Sequence, residues 1–344
     1  MPARMLLATA AFLVAWSSTV AARDLTVVAR GEAMQAAMTD AYLRPFADVT
    51  GFDPEMLAWD GGIDALRDQL KAPGNLWDLV LTDPDELAAG CADGLFEKSE
   101  WSAVGGKDHY QPWGISECGV GGTISNLVLA WDKDKFPVTP TWTDFWDVAK
   151  YPGKRGLAKN MRGVMEIALL ADGVAPADVY KTLAGSEGAD RAFRKLDQLK
   201  PYIVWWQTGA EAARILGSGD VLMTSAPSAA IATASKQEMR NFGIQWAASL
   251  YHVLSWAVVK SSPNIRVAQQ FLYFTGMPAV EARLVRLSGQ VGAAKGLNDG
   301  LPPELLAISP TNPANMASAL REDVGLWREN QAKLRQRFDA WIGR

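Results

Sequence analysis

Leu25-Thr26-Val27-Val28-Ala29 is a short, β-rich apolar run that Arg30-Gly31-Glu32 breaks off. Helical spacing follows at once, with Met34, Met38, Tyr42 and Phe46 recurring every fourth residue until Gly51 ends the pattern. A second extended segment covers residues 52–59, a second helical one runs from Gly62 to Leu70, and Trp77-Asp78-Leu79-Val80-Leu81 is the next apolar run. Apolar runs without polar alternation suit strands covered on both faces, so this stretch predicts an α/β chain with mostly buried strands. Asp83-Pro84 marks a strand exit and Glu86 to Cys91 a short helix.

The same style continues to the end. Val120 to Trp131, glycine-rich and then apolar, predicts a strand that crosses between lobes, and Val253 to Val259 predicts the return crossing. Between them, helices are expected near Thr143–Trp146, Met165–Leu170, Ala189–Leu199 and Gly209–Leu216, with strands at Ile203–Trp206 and Val221–Thr224. After the return come helices over Ile265–Phe274, Ala279–Leu287 and Asp323–Trp341. Two α/β lobes joined by crossings leave a cleft at strand ends and helix starts, where open sheets bind small solutes. The expected division gives lobe 1 residues 23–128 and 257–344, and lobe 2 residues 129–256. The hinges fall near 125–131 and 253–259.

The N-terminus carries an export pattern: Arg4, an uncharged stretch from Met5 to Trp16, then small residues up to Val20-Ala21-Ala22. That apolar segment is too short to span a membrane, and cleavage after Ala22 is expected, with release to the periplasm from Arg23 onward. Removing 22 residues takes away Arg4 alone among the charges, so 33 basic residues face 38 acidic ones and the net charge moves from -4 to -5. A mildly acidic chain without a basic run argues against nucleic acid as partner, and no later segment has the length for membrane insertion. Cys91 and Cys118 are the two cysteines, and an even pair in an oxidising compartment predicts a disulfide.

Catalytic and metal patterns are missing from the sequence. The histidines, His109 and His252, stand 143 residues apart, no His-Glu-x-x-His or Gly-x-Ser-x-Gly occurs, and Gly119–Thr123 lacks the order of a nucleotide loop. That cluster reads as a close-approach turn or as a nest of backbone N–H groups. No metal, cofactor or enzymatic activity is expected. Aromatic content is the better clue, because thirteen of the fourteen tryptophans follow residue 22 and ring faces attract ammonium groups. Trp59, Trp113, Trp205, Trp206 and Trp246 fall at expected strand ends. Trp205 and Trp206 point to opposite sides of a strand, so one can be core while the other faces the cleft.

The acidic candidates are Glu32, Asp60, Asp83, Glu117 and Glu166, although Asp60-Gly61-Gly62 is equally a turn. Glu117 adjoins Cys118, whose disulfide would hold it still. Arg30 and Arg162 could pair with these carboxylates or grip a ligand carboxylate in a fork. Tyr251 and His252 precede the return crossing, where a strand end would present them to a cleft.

Taken together, these segments resemble the periplasmic binding proteins of polyamine ABC importers, the spermidine and putrescine receptors. The resemblance rests on Trp77–Val80, Ala92–Phe96, Glu117–Gly121, Thr143–Asp147, Tyr151–Arg155, Glu166–Val174, Ala192–Leu196, Gly219–Val221 and Trp256–Asn264, in that order. It implies a two-lobed type II periplasmic binding protein fold with a central ligand cleft and crossing hinge segments. It also implies a small-molecule solute, a membrane permease of an ABC importer as partner, and action as a monomer. In such receptors aromatic rings sandwich the aliphatic stem and carboxylates hold the amines.

Two departures matter. The pattern's Trp-Asn-Gly is replaced by Thr224-Ser225-Ala226-Pro227-Ser228, which puts Ser225 where an aromatic wall is expected. Leu254 stands at the position of an amine-binding aspartate, with His252 two residues earlier. An ammonium buried there would lack a partner. The changes therefore point to a small amine or amino-acid-like solute rather than a long polyamine. The alternatives are a true putrescine or spermidine receptor and a receptor for an organic acid or a thiamine-like heterocycle.

Overall fold

The computed structural model describes residues 23–343; the expected signal peptide, residues 1–22, lies outside them. β1 (Thr26–Ala29) pairs in parallel with β2 (Glu55–Ala58) on one side and β3 (Leu79–Thr82) on the other. Alternate residues feed two layers of core. Val27, Leu79 and Leu81 pack with Met38, Tyr42, Phe46 and Phe271 on one face, and Val28 and Val80 with Leu66, Leu70 and Phe96 on the other. Two covered faces explain the unbroken apolar runs, and each buried Val or Leu contributes about 1.5–3 kcal/mol.

Two long strands carry the chain between lobes. β4 (Val120–Asp132) and β8 (Phe242–Val258) lie antiparallel along almost their whole length. β8 meets β3 through Ser255–Val258, while β4 meets β7 (Met223–Ala226) through Val128–Trp131. β7 then pairs in parallel with β5 (Arg155–Ala158), and β5 with β6 (Ile203–Trp206). The order is β2-β1-β3-β8-β4-β7-β5-β6, one ribbon serving both lobes. Thirteen residues at about 3.3 Å each give β4 a reach of roughly 43 Å, enough to traverse both halves.

The ladder is interrupted where it changes lobe. Register passes from Leu127↔Leu250 directly to Leu129↔Gln245, so Trp246–Ser249 bulge out opposite Val128. Ala248 sits there at φ 53, and its backbone is held by the Trp142 indole and the Ser318 hydroxyl. A third crossing comes from β9 (Leu320–Arg321), which pairs with β8 at Leu250 and Tyr251.

The closing helix, Val324–Ile342, departs from the expected division. Trp327, Leu334, Phe338 and Trp341 belong to the second-lobe core, beside Val164, Leu196 and Trp206. Residues 324–342 therefore leave the first lobe to which 257–344 had been assigned. An amphipathic stripe tells that a helix has an apolar face, and the third crossing decides which lobe receives it. Cys91 and Cys118 form the expected disulfide, which ties the helix Pro84–Ala92 to the loop before β4.

Candidate functional site

Strand ends and helix starts of both lobes surround a cavity of about 1050 Å³. On the first lobe, Asp83 caps the helix Pro84–Ala92 in a capping box with Glu86, and Pro84 takes the first helical position. This turns Asp83, Asp85 and Glu86 toward the cavity together. Glu86 is buried and accepts the N–H groups of Gly62 (2.6 Å) and Asp83 (2.9 Å). Burial holds its carboxyl above the usual range against the pull of Arg30. Arg30 forms ion pairs with both Asp83 and Glu86 and lies 4.8 Å over the Trp59 ring.

On the second lobe the helix Met161–Ala171 begins with a break. The Asn160 side chain accepts the Arg162 N–H (3.1 Å), Arg162 is extended at ψ 137, and Gly163 takes φ 82. Glycine is the residue that adopts this left-handed backbone without strain. The break projects Arg162 into the cavity, where it pairs with Asp85 across the cleft and with Glu322 at 3.0 Å, and donates to Gln331 at 2.7 Å. Its guanidinium lies 5.6 Å over the Trp327 ring.

Behind it, the Glu166 carboxylate accepts the Trp327 indole N–H (2.9 Å), the Tyr180 hydroxyl (3.2 Å) and the Gly163 N–H (2.8 Å). Burial pushes Glu166 up to about 7, and the neighbouring Glu322 carboxylate acts the same way. Glu322 is itself raised by burial, opposed by His252 and Arg162. His252 lies between two carboxylates from different elements, 3.8 Å from Asp83 and 3.6 Å from Glu322.

The lining carries six basic and six acidic side chains besides His252, so neither a polycation nor a polyanion is favoured by charge alone. Among the described residues, three buried polar atoms in it have no hydrogen-bond partner: Asp85 Oδ1, Trp206 Nε1 and Arg30 Nε. Buried polar groups are normally satisfied, so these are positions at which a solute can bond.

Comparison with known proteins assigns the architecture. The family model for bacterial extracellular solute-binding proteins matches residues 37–314. The chain belongs to that family. It is 38% identical over 323 residues to a gamma-aminobutyric acid-binding protein of Pseudomonas aeruginosa, covering 94% of this chain and 92% of the relative. Among solved structures, an ABC transporter substrate-binding protein from Bradyrhizobium japonicum superposes with a TM-score of 0.83 at 29% identity, covering 93% and 99% of the two chains. The Atu4243–GABA receptor does so with a TM-score of 0.83 at 27% identity, covering 93% and 98%. This solute-binding protein has the two-lobed type II fold and serves as an extracytoplasmic solute receptor.

Of the residues singled out from sequence, the structure brings Arg30, Asp83, Arg162, Trp206, Tyr251 and His252 into the solute-binding protein's cavity, and Glu166 with them. Trp206 faces the cavity while Trp205 packs on Phe338 and Trp341, as their adjacency on a strand requires. Five expected contacts lie outside the lining. Glu32 is exposed in the first turn of the helix Glu32–Met38. Asp60 is exposed where Gly61 (φ 85) and Gly62 (φ 104) turn the chain under Arg30, so the turn reading holds there. Glu117 faces outward to Lys98 at 2.9 Å and borders a separate cavity beside the disulfide. Ser225 is fully buried between β4 and β5, and Trp246 sits in the β8 bulge. Leu254, at the expected aspartate position, packs on the first-lobe core. Sequence reasoning missed Asp85, Glu86 and Glu322. The Asp83-Pro84-Asp85-Glu86 capping signature was a readable sign of the first two, whereas Glu322 has none.

Proposed function

We propose that the cavity holds a short ω-amino acid of the γ-aminobutyric acid class, its ammonium on the first lobe and its carboxylate on the second. The observation that carries this reading is the pair of unpartnered atoms: a carboxylate oxygen, Asp85 Oδ1, on one lobe and an indole N–H, Trp206 Nε1, on the other. An acceptor and a donor on opposite walls fit the two ends of a zwitterion. The balanced charge of the lining and the ligand named for the 38% identical relative support the same class. Asp83 and Glu86 strengthen the ammonium end, while Tyr251 and His252 line the hinge wall.

In this reading residues 23–124 and 254–319 form one lobe and 128–249 with 324–342 the other. Residues 125–127, 250–253 and 320–323 cross between them. A polyamine is the rival cargo, and it needs a free carboxylate at both ends. Glu166, the buried acid on the second lobe, already accepts three hydrogen bonds.

Isothermal titration of the chain from residue 23, refolded to remove carried ligand, decides between them. γ-Aminobutyrate is expected to bind at least about tenfold more tightly than putrescine, butylamine or butyrate, a difference of about 1.4 kcal/mol. Tighter binding of putrescine or spermidine refutes the zwitterion reading.

A further inference from the structure

Asp85 and Arg162 approach from opposite lobes and pair across the cavity, yet each is incompletely used or separately anchored. Asp85 engages Arg162 through Oδ2 alone, and its Oδ1 stays buried without a partner. Arg162 is held from its own side by Glu322, Gln331, the Trp327 ring and the Gly163 break, so it keeps its place when Asp85 lets go. We propose that the Asp85–Arg162 pair is a self-occupied solute site: each group now holds the partner that the solute would replace, its ammonium taking over Asp85 and its carboxylate taking over Arg162. This rests on the zwitterion reading above and names the groups that enforce it.

The selectivity follows from electrostatics. An ω-amino acid that inserts between the two gives Asp85 an ammonium and Arg162 a carboxylate, with Trp206 Nε1 as a further donor in the lining of the same lobe. Both half-buried charges stay paired and the net charge of the cavity is unchanged. A monoamine satisfies Asp85 but leaves Arg162 with Glu322 as its remaining carboxylate, and a monocarboxylate leaves Asp85 without the cation it now holds. Losing a partner of a half-buried pair is unfavourable, so each half-ligand binds less tightly for the end it lacks. The inserted zwitterion also replaces one link between lobes by another, which keeps closure favourable.

Titrations of γ-aminobutyrate, butylamine and butyrate against the wild type, Asp85→Asn and Arg162→Gln test this, with circular dichroism to confirm folding. In the wild type the zwitterion is expected to bind about 10- to 100-fold more tightly than either half-ligand. Arg162→Gln should collapse the preference over butylamine to within about threefold while keeping that over butyrate, and Asp85→Asn should do the opposite. Should one variant fail to fold, the other alone reads the same opposed change. Wild-type selectivity for γ-aminobutyrate that survives in both variants overturns the self-occupied site and leaves the zwitterion reading standing. Absence of ω-amino-acid binding by the wild type overturns both.

Discussion

Glu281 offers a prediction that can be worked through from the structure. It lies in the helix Pro278–Ser288, 3% exposed, and its carboxyl accepts the Ala294 N–H at 3.1 and 3.0 Å. Gly292 leaves the space it fills, and the Tyr42 and Tyr110 rings border the same small cavity. Burial pushes the group up to about 8, with the two backbone donors opposing, from an ordinary value of 4.5. The folded protein therefore keeps this proton at neutral pH, while the unfolded chain has lost it. Below about 4.5 both states are protonated and the stabilisation is complete; it declines as pH rises toward 8 and is gone above. Over that window one proton changes stability by about 1.4 kcal/mol per pH unit.

Glu281→Gln keeps the shape and removes the titration. Other titrating groups are common to both proteins and cancel in the difference. The stability of the variant relative to the wild type should thus rise by about 2.7 kcal/mol between pH 5 and pH 7. Urea denaturation followed by far-ultraviolet circular dichroism at pH 5, 6 and 7 measures it. A difference that stays flat across these values refutes the claim that Glu281 is buried with its proton.

Three further outcomes follow from the site and the disulfide. Trp206→Phe removes the free indole donor and keeps the ring, so γ-aminobutyrate affinity should fall about tenfold while butylamine affinity stays within twofold, by calorimetry. Gly163→Ala forces a side chain into φ 82 and moves Arg162, which should lower stability by about 1 kcal/mol or more and weaken γ-aminobutyrate binding alongside it. Replacing Cys91 and Cys118 together by alanine frees a loop of 26 intervening residues and should cost about 3–4 kcal/mol in urea denaturation.

The fold was legible because its signals are local. β1 and β3 announce two-sided burial by unbroken apolar runs, and glycine and proline mark most helix ends. Strand alternation likewise set Trp205 and Trp206 on opposite sides, without saying which of them lines the cavity. Signals that depend on where strands slip past each other were not local. Trp246 occupies a strand in sequence, but the register jump between Leu127↔Leu250 and Leu129↔Gln245 expels it. Ser225 follows the strand pattern of an aromatic wall, but its strand is central and covered. Glu117 adjoins the disulfide, but its side chain faces Lys98 and solvent rather than the cavity.

The solute-binding groups depend most on these non-local events. Glu322 is unremarkable in sequence until β9 joins β8 and places its backbone against Tyr251. That third crossing delivers the C-terminal helix to the second lobe, where Trp327 and Gln331 brace Arg162. Arg162 then reaches Asp85, which a capping box has already aimed from the first lobe. Each contribution is made by ordinary backbone chemistry: a cap, a left-handed glycine, a two-residue strand. In the proposed site, selectivity arises because three crossings place these groups around one cavity, so a solute that satisfies both lobes also completes the contacts between them.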